Sequence, residues 1–152
     1  MRSVRRLLLV AATIVALTAV GLVPSVSAAS PRSGDLHVTK ECSAYKGLAG
    51  QFCTITSSNL AAIPVGSKVI YLQALVGTVL ETDVVLDPPG PGNNMAFGHV
   101  HLNLVTKVGW VTFAGGTGKF TWFTGTVVVT PDSNIPFGWY WDGTYSFSPP
   151  AG

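Results

Sequence analysis

Short apolar stretches alternate with turn residues along the whole chain after residue 30. These stretches are rich in Val, Thr, Phe, Tyr and Trp, and none of them reads as a helix. The pattern therefore predicts an all-β protein. The predicted strands are residues 37–41, 52–57, 68–76, 78–87, 95–106, 109–114, 119–130 and 138–147. Gly77 separates the third strand from the fourth, and the alternative is one strand bent at this glycine.

The predicted strands follow one another with short connections, which favours a meander. An open sheet would expose its edge strands to other chains, and closure into a barrel removes those edges. We therefore expect a single eight-stranded antiparallel β-barrel over residues 37–152, preceded by a flexible tail over residues 30–36. A β-sandwich is the alternative, but the chain lacks the long crossover connection of a Greek key.

The first 29 residues have the pattern of a signal peptide. Arg2, Arg5 and Arg6 form a basic start, residues 7–23 are mostly apolar, and small residues at 26–29 offer a cleavage site. This pattern predicts a secreted protein without a membrane segment after cleavage. The apolar run is near the lower length limit for a membrane span, so a retained anchor is the alternative. The arginine pair leaves both the general and the twin-arginine export routes open.

Removal of the leader changes the charge of the chain. The full sequence has nine Lys and Arg residues against seven Asp and Glu residues, a net charge of +2. Three of the basic residues lie in the leader, so the mature chain of about 123 residues has a net charge near −1. No basic patch is left, which argues against nucleic acid and anionic membranes as partners.

Cys42 and Cys53 are the only cysteines in the sequence. In an exported protein such a pair predicts a disulfide, and only one connectivity exists. The alternative is two free thiols or half of a metal site. The pair does not form a Cys-x-x-Cys motif, so redox chemistry is not expected.

A glycine-rich turn precedes the longest predicted strand. Its glycines supply the positive φ angles that hairpin turns need, and Gly125 follows the phenylalanine of the turn by five residues. The predicted structural residues of this turn are Gly115, Gly116, Thr117, Gly118 and Phe120. Together with Pro64–Ile70, the motif resembles the allene oxide cyclase-like barrels, which include plant dirigent proteins and small bacterial relatives. The resemblance covers roughly residues 60–147.

The resemblance implies a barrel whose cavity holds an apolar small molecule, assembled as a homotrimer or homodimer. It also implies that the protein guides an isomerisation or cyclisation by orienting a reactive guest. The pocket carboxylates, arginines and asparagine of that family do not map onto this chain residue by residue. No arginine follows Arg32, so a mechanism that needs an arginine inside the barrel is in doubt.

Four polar residues in the central strands are candidates for chemistry. Glu81 and Asp83 share one face of a strand, and His99 and His101 share one face of the strand after it. Because the opposite face of the first strand is more apolar, we expect the carboxylates to point outward. If they faced inward, burial would raise their pKa values and suit one for general acid catalysis. For the imidazoles we expect a solvent-facing stripe, with a pocket role or a metal site as the alternatives.

Asp142 in the last predicted strand is a fifth candidate, either in the pocket or exposed. The chain also has many aromatic residues, and we expect most of them in the core. A subset is expected to line the ligand cavity. The predicted ligand-binding residues are Tyr71, Asn103, Trp122, Trp139, Trp141 and Tyr145.

Several enzyme classes lack their motifs. The chain has no Gly-x-Ser-x-Gly elbow, no free Cys–His pair once the disulfide forms, and no phosphate loop. No cofactor or metal is expected. The preferred hypothesis is a secreted barrel that binds an apolar small molecule and guides an isomerisation or cyclisation. The alternatives are a non-catalytic carrier or interaction module with the same barrel, and a metal-dependent enzyme centred on His99 and His101.

Overall fold

The computed structural model describes residues 32–149. They form a closed barrel of eight antiparallel strands, as the hydrophobic pattern predicts. The strands are β1 (Ser33–Glu41), β2 (Phe52–Ser58), β3 (Lys68–Tyr71), β4 (Val79–Asp87), β5 (Ala96–Asn103), β6 (Val108–Gly116), β7 (Thr124–Asp132) and β8 (Gly138–Ser146). The predicted signal peptide, residues 1–29, lies outside the described residues.

Each strand pairs with the next along the chain, and β8 closes the barrel by pairing with β1. The closing ladder runs from Ser33 opposite Ser146 to Glu41 opposite Gly138. Because neighbouring strands are antiparallel, successive connections lie at opposite ends of the barrel. We call the end with connections 59–67, 88–95 and 117–123 the mouth. The end with connections 42–51, 72–78, 104–107 and 133–137 is the base.

Alternation along the strands fills the barrel with apolar side chains. In β4 the even-numbered residues from Leu80 to Leu86 are buried, whereas Glu81 and Asp83 between them are exposed. The largest fully buried side chains are Trp141, Phe113, Phe120 and Phe123. The ring of Phe113 contacts two of the others, with centroids 5.5 Å from Phe123 and 5.6 Å from Trp141. Side chains of this size fill the interior of an eight-stranded barrel.

Several strand boundaries differ from the predicted ones; β5, for example, ends at Asn103 and not at residue 106. Residues 33–36, predicted as a flexible tail, belong to β1 because their backbone pairs with β8. The third strand ends at Tyr71, and Gly77 in the following connection has a φ of 68°, which a strand does not continue through. Residues 68–87 are therefore two strands and not one bent strand. β7 starts at Thr124 and not at residue 119.

The glycine-rich connection from β6 to β7 is longer than the tight turn that the sequence predicts. β6 extends to Gly116, and Gly118–Phe120 forms one turn of 3-10 helix. Gly115 and Gly118 have the predicted positive φ angles, 83° and 55°. Gly116 is required for a different reason, because a Cβ at this position would overlap a neighbouring carbonyl oxygen. The longer connection carries Phe120 back to the core at the mouth, where its side chain is fully buried.

The predicted disulfide between Cys42 and Cys53 is formed, and it joins the start of the β1–β2 connection to β2. Such a bond is compatible with an extracellular protein. Within residues 32–149 no helix has the length and apolar character needed to cross a bilayer.

Candidate functional site

Glu81, Asp83, His99 and His101 lie together on the outer face of β4 and β5, and we call them the outer cluster. The register places Glu81 opposite His101 and Asp83 opposite His99. Nε2 of His99 is 2.6 Å from Glu81 Oε1, and its Nδ1 is 2.9 Å from Asp83 Oδ1. Nδ1 of His101 contacts the other oxygen of Glu81. The carboxylates and imidazoles face solvent, as the alternation in β4 and β5 predicts.

Hydrogen bonds within the outer cluster favour the charged forms of His99 and Glu81. The bonds to Asp83 and Glu81 raise the pKa of His99, and the bonds from His99 and His101 lower the pKa of Glu81. When His99 is protonated, both of its ring nitrogens donate, one to each carboxylate. Because these side chains are solvated, the ion pairs contribute little to stability.

The outer cluster is arranged for pairing between strands and not for a metal ion. Among residues 32–149 no group of three or more His, Cys, Asp or Glu side chains is placed to hold one. Both ring nitrogens of His99 face carboxylates, whereas a metal ligand needs a nitrogen lone pair directed at the ion.

Asp142 lies on the outer face of β8, outside the barrel interior. Its Oδ1 is 2.8 Å from Nδ1 of His37 on β1, and the register places these two residues opposite each other. Next to the outer cluster, the imidazole of His101 stacks on the ring of Trp110, with centroids 4.4 Å apart and 21° between the planes. The outer surface therefore carries pairs of polar and aromatic side chains that bridge neighbouring strands.

The predicted ligand-binding residues do not form one site. Tyr71 and Trp141 are buried in the barrel, while Tyr145 lines a pocket at the mouth. Trp139 is half-buried and packs against the core. The alternation in β8 therefore directs Trp141 and Tyr145 inward, but the two residues belong to different parts of the molecule.

Asn103 and Trp122 lie outside the barrel interior. Oδ1 of Asn103 accepts hydrogen bonds from the backbone N–H groups of Val105 and Thr106, which shapes the turn from β5 to β6. Trp122 lies in the β6–β7 connection with 49% of its surface exposed. Asn103 faces outward because its neighbour in the strand, Leu102, points into the core.

A lysine that no sequence motif singles out is buried in the barrel. Lys40 on β1 is only 4% exposed, and its inward-facing neighbours are Val38 and Cys42. Its Nζ donates to the hydroxyl of Tyr71 at 2.7 Å and lies 4.6 Å from the centroid of the Trp141 ring. No carboxylate in residues 32–149 forms an ion pair with it.

Burial changes the titration of this lysine and its phenol partner. Desolvation lowers the pKa of Lys40 to about 7, and desolvation also raises the pKa of Tyr71. Buried groups with displaced pKa values are concentrated at functional sites. The alternation of β1 is the signal in the sequence: Leu36 and Val38 share a face with Lys40, so the strand directs the lysine inward.

Two other buried polar atoms in this region, the hydroxyl of Tyr45 and the indole nitrogen of Trp141, have no hydrogen-bond partner among residues 32–149. The ring of Tyr45, in the β1–β2 connection, lies on that of Tyr71 with centroids 4.4 Å apart. The hydroxyl of Tyr71 is also 3.3 Å from Sγ of Cys53, and it is the donor because a disulfide sulfur carries no proton. We call Lys40, Tyr45, Tyr71 and Trp141 the inner cluster.

A pocket of about 690 Å³ opens at the mouth, and we call it the mouth pocket. Its apolar wall includes Leu60, Ala61, Ala62, Tyr145 and Phe147. The charged and amide side chains that line it are Arg32, Asp35, Asn59 and Lys119. Nη2 of Arg32 donates to the carbonyl oxygen of Phe147 at 3.1 Å, which holds the guanidinium beside the pocket. Two of the three charged groups in the part of the lining that the structure describes are therefore cations.

The outer cluster, the inner cluster and the mouth pocket differ in what they can bind. The outer cluster is solvated and its carboxylates are paired, and the inner cluster lies among packed side chains. Of the three, the mouth pocket has the volume and the apolar wall that suit a small organic molecule.

No family model, no curated protein and no solved structure matches the chain.

Proposed function

We propose that the protein is a secreted barrel that binds an apolar small molecule bearing a carboxylate, and that the mouth pocket is the binding site. The observation that carries this proposal is the pocket volume of about 690 Å³ beside an apolar wall. Small-molecule sites commonly measure about 300–1,000 Å³ and combine an apolar wall with a few polar groups. The barrel interior is a poorer candidate because aromatic side chains fill it.

The charges around the mouth pocket favour an anionic group on the ligand. Arg32 and Lys119 line the pocket, and among the described lining residues Asp35 is the single acidic side chain. A guanidinium can bind a carboxylate through two parallel hydrogen bonds, and a lysine adds a point charge. The apolar part of the ligand would contact Leu60 and Phe147.

The resemblance of the Gly115–Phe120 turn to allene oxide cyclase-like barrels supports an apolar guest. In a catalytic form of the proposal, the protein orients that guest for isomerisation or cyclisation. Within residues 32–149 the lining of the mouth pocket contains no histidine, and its one carboxylate, that of Asp35, belongs to an exposed residue. The pocket lining therefore supports a binding function better than a function that relies on acid–base catalysis. The leader pattern and the disulfide support secretion.

Calorimetry with decanoate and decanol tests the binding site, because the two probes share an apolar chain and differ in charge. We expect decanoate to bind the wild-type protein and Ala62→Trp to abolish binding, since the indole fills part of the mouth pocket. Ala114→Trp is the matched control, because Ala114 is exposed on β6 and does not line the pocket. Equal binding of decanoate to the wild type and Ala62→Trp would refute the location of the site.

A charge-removing pair of variants tests the role of the cations. We expect Lys119→Gln to weaken decanoate binding about two- to fivefold, the range for an exposed ion pair, and to leave decanol binding unchanged. Lys46→Gln at the base is the control, because Lys46 is exposed and lies outside the mouth pocket. Equal losses in both variants would mean that net charge, and not a specific contact, attracts the probe.

A second candidate function is a non-catalytic interaction module, including a homodimer or homotrimer. Trp110 on β6 is 50% exposed, and Val128, opposite it on β7, is exposed as well; Trp122, 49% exposed, lies apart from them in the β6–β7 connection. Large apolar side chains grouped on a surface mark contact sites for partners. Light scattering of the mature protein separates the two functions: an oligomer that Trp110→Gln dissociates would favour this second candidate, and a monomer would count against self-association.

A further inference from the structure

The inner cluster contains more hydrogen-bond donors than acceptors. The Lys40 ammonium has three N–H groups, and Tyr71 is its one hydrogen-bond partner among residues 32–149. The indole of Trp141 can only donate, and its buried nitrogen has no partner in the same part of the chain. The buried hydroxyl of Tyr45 likewise has none there. Buried donors without acceptors are costly, so the region is complementary to an acceptor.

The donors lie around the same two aromatic rings. Nζ of Lys40 is 4.6 Å from the centroid of the Trp141 ring and 5.4 Å from that of the Tyr71 ring. The Tyr45 ring packs on Tyr71 from the side of the β1–β2 connection. Tyr71 has no further hydrogen to donate, because its single O–H is directed at the sulfur of Cys53 while its oxygen accepts from Lys40.

We propose that the inner cluster is a binding site for a small monovalent anion of halide size, such as chloride, held by the Lys40 ammonium, the Trp141 indole N–H and the Tyr45 hydroxyl. A single negative charge neutralises the ammonium, which has no carboxylate partner in the described residues. A cation is excluded because the available groups are donors and one is positively charged. A larger organic anion is excluded because Lys40 is buried against the Tyr71 hydroxyl and the Trp141 ring, and both of these side chains are themselves buried.

Tyr45 lies on the side of the inner cluster that the β1–β2 connection covers. Tyr45 is half-buried, and its neighbours in the β1–β2 connection, Ser43, Ala44 and Lys46, are exposed.

The charge of Lys40 makes anion binding pH-dependent. The titratable side chains that face it are Tyr71 from β3 and Tyr45 from the β1–β2 connection, and burial raises the pKa of both phenols. Both remain neutral between pH 5 and 8, so Lys40 alone changes charge in that range. The anion binds the ammonium form, and we therefore expect affinity to fall as the pH rises through about 7.

The test measures the wild-type protein in sodium chloride and in sodium gluconate at equal ionic strength and pH 6. We expect chloride to raise the urea midpoint of the wild type and to leave that of Lys40→Met unchanged. Lys68→Met is the matched control, because Lys68 is an exposed lysine that also lies over an aromatic ring, that of Phe52. Nitrogen NMR should show the pKa of Lys40 raised by about one unit, a tenfold change in proton affinity, at saturating chloride.

A second arm does not depend on the folding of Lys40→Met. Crystals of the wild type soaked in bromide should show an anomalous peak within hydrogen-bond distance of Nζ of Lys40. Trp141→Phe should weaken the chloride effect by removing one donor, whereas Trp139→Phe should not, since the Trp139 indole is not among the unpartnered buried atoms.

Two results would overturn the proposal. Wild-type stability that is the same in chloride and gluconate, with no bromide peak, would mean that water satisfies the donors. A bromide peak without any effect of chloride on stability or on the titration of Lys40 would mean an adventitious ion only.

Discussion

Replacement of Lys40 by methionine should stabilise the protein at acidic pH, although it removes a hydrogen bond. Methionine keeps the length of the side chain and has no charge to desolvate, so it suits the interior between Val38 and Cys42. The loss of the hydrogen bond to Tyr71 costs about 1 kcal/mol. The gain from removing a buried ammonium is larger, and its size follows from the pKa of the lysine.

The pKa of Lys40 falls from 10.5 to about 7 on folding. Each pKa unit corresponds to about 1.4 kcal/mol, so burial of the charged form costs about 5 kcal/mol below pH 7. Between pH 7 and 10.5 the unfolded chain binds the proton and the folded chain does not, so the stability of the wild type rises with pH. In Lys40→Met this cost is absent, and the advantage of the variant should shrink as the pH rises.

Urea unfolding of both proteins at pH 6 and pH 9.5 is the assay. We expect the advantage of Lys40→Met, about 4 kcal/mol at pH 6, to decrease by about 3 kcal/mol at pH 9.5. Other titrating groups, including His99, are common to both proteins and largely cancel in the difference. Lys68→Met, at an exposed position, should show no such trend. A variant that is less stable than the wild type at pH 6, or a difference that does not change with pH, would refute the reasoning.

Three further predictions concern the disulfide, the backbone and the outer cluster. Replacement of both cysteines of the Cys42–Cys53 disulfide by serine should lower the free energy of unfolding by about 3 kcal/mol, since the bond closes a loop over a sequence separation of 11. Urea unfolding measures this loss, and an unchanged free energy of unfolding would contradict the prediction. Gly109→Ala should cost about 3 kcal/mol or more, because a Cβ there would overlap the backbone of β5, whereas Gly34→Ala has room and should cost less than about 1 kcal/mol. Asp83→Asn should lower the pKa of His99 in an NMR titration, since the bond to Asp83 is the largest cause of its raised pKa; an unchanged value would exclude that bond in solution.

Alternation and turn residues were sufficient to predict the barrel, because each strand shows its inner face in its own sequence. In β4 the apolar residues at even positions directed Glu81 and Asp83 outward, and the structure confirms this orientation. The pairing of these carboxylates with His99 and His101 could not be predicted, since it depends on the register between β4 and β5. Register follows from the geometry of the connection between strands, which the pattern of either strand alone does not contain.

The burial of Lys40 and the mouth pocket were missed for different reasons. Lys40 lies on the buried face of β1. Lysine is rarely buried without a partner, so its charge predicts an exposed side chain even where the alternation of the strand predicts a buried one. The mouth pocket combines the first residues of β1 with the β2–β3 connection and the end of β8, segments far apart in sequence. The start of β1 was predicted as a tail, so Arg32 and Asp35 could not be assigned to a site.

Native mass spectrometry of the protein purified from its natural source tests the proposed function most directly. We expect the wild type to retain an organic anion with an apolar body, and the Ala62→Trp variant from the same source to lose it while Ala114→Trp keeps it. A bare wild-type protein that also fails to bind added decanoate, or the same bound mass in Ala62→Trp, would contradict a ligand site at the mouth of the barrel.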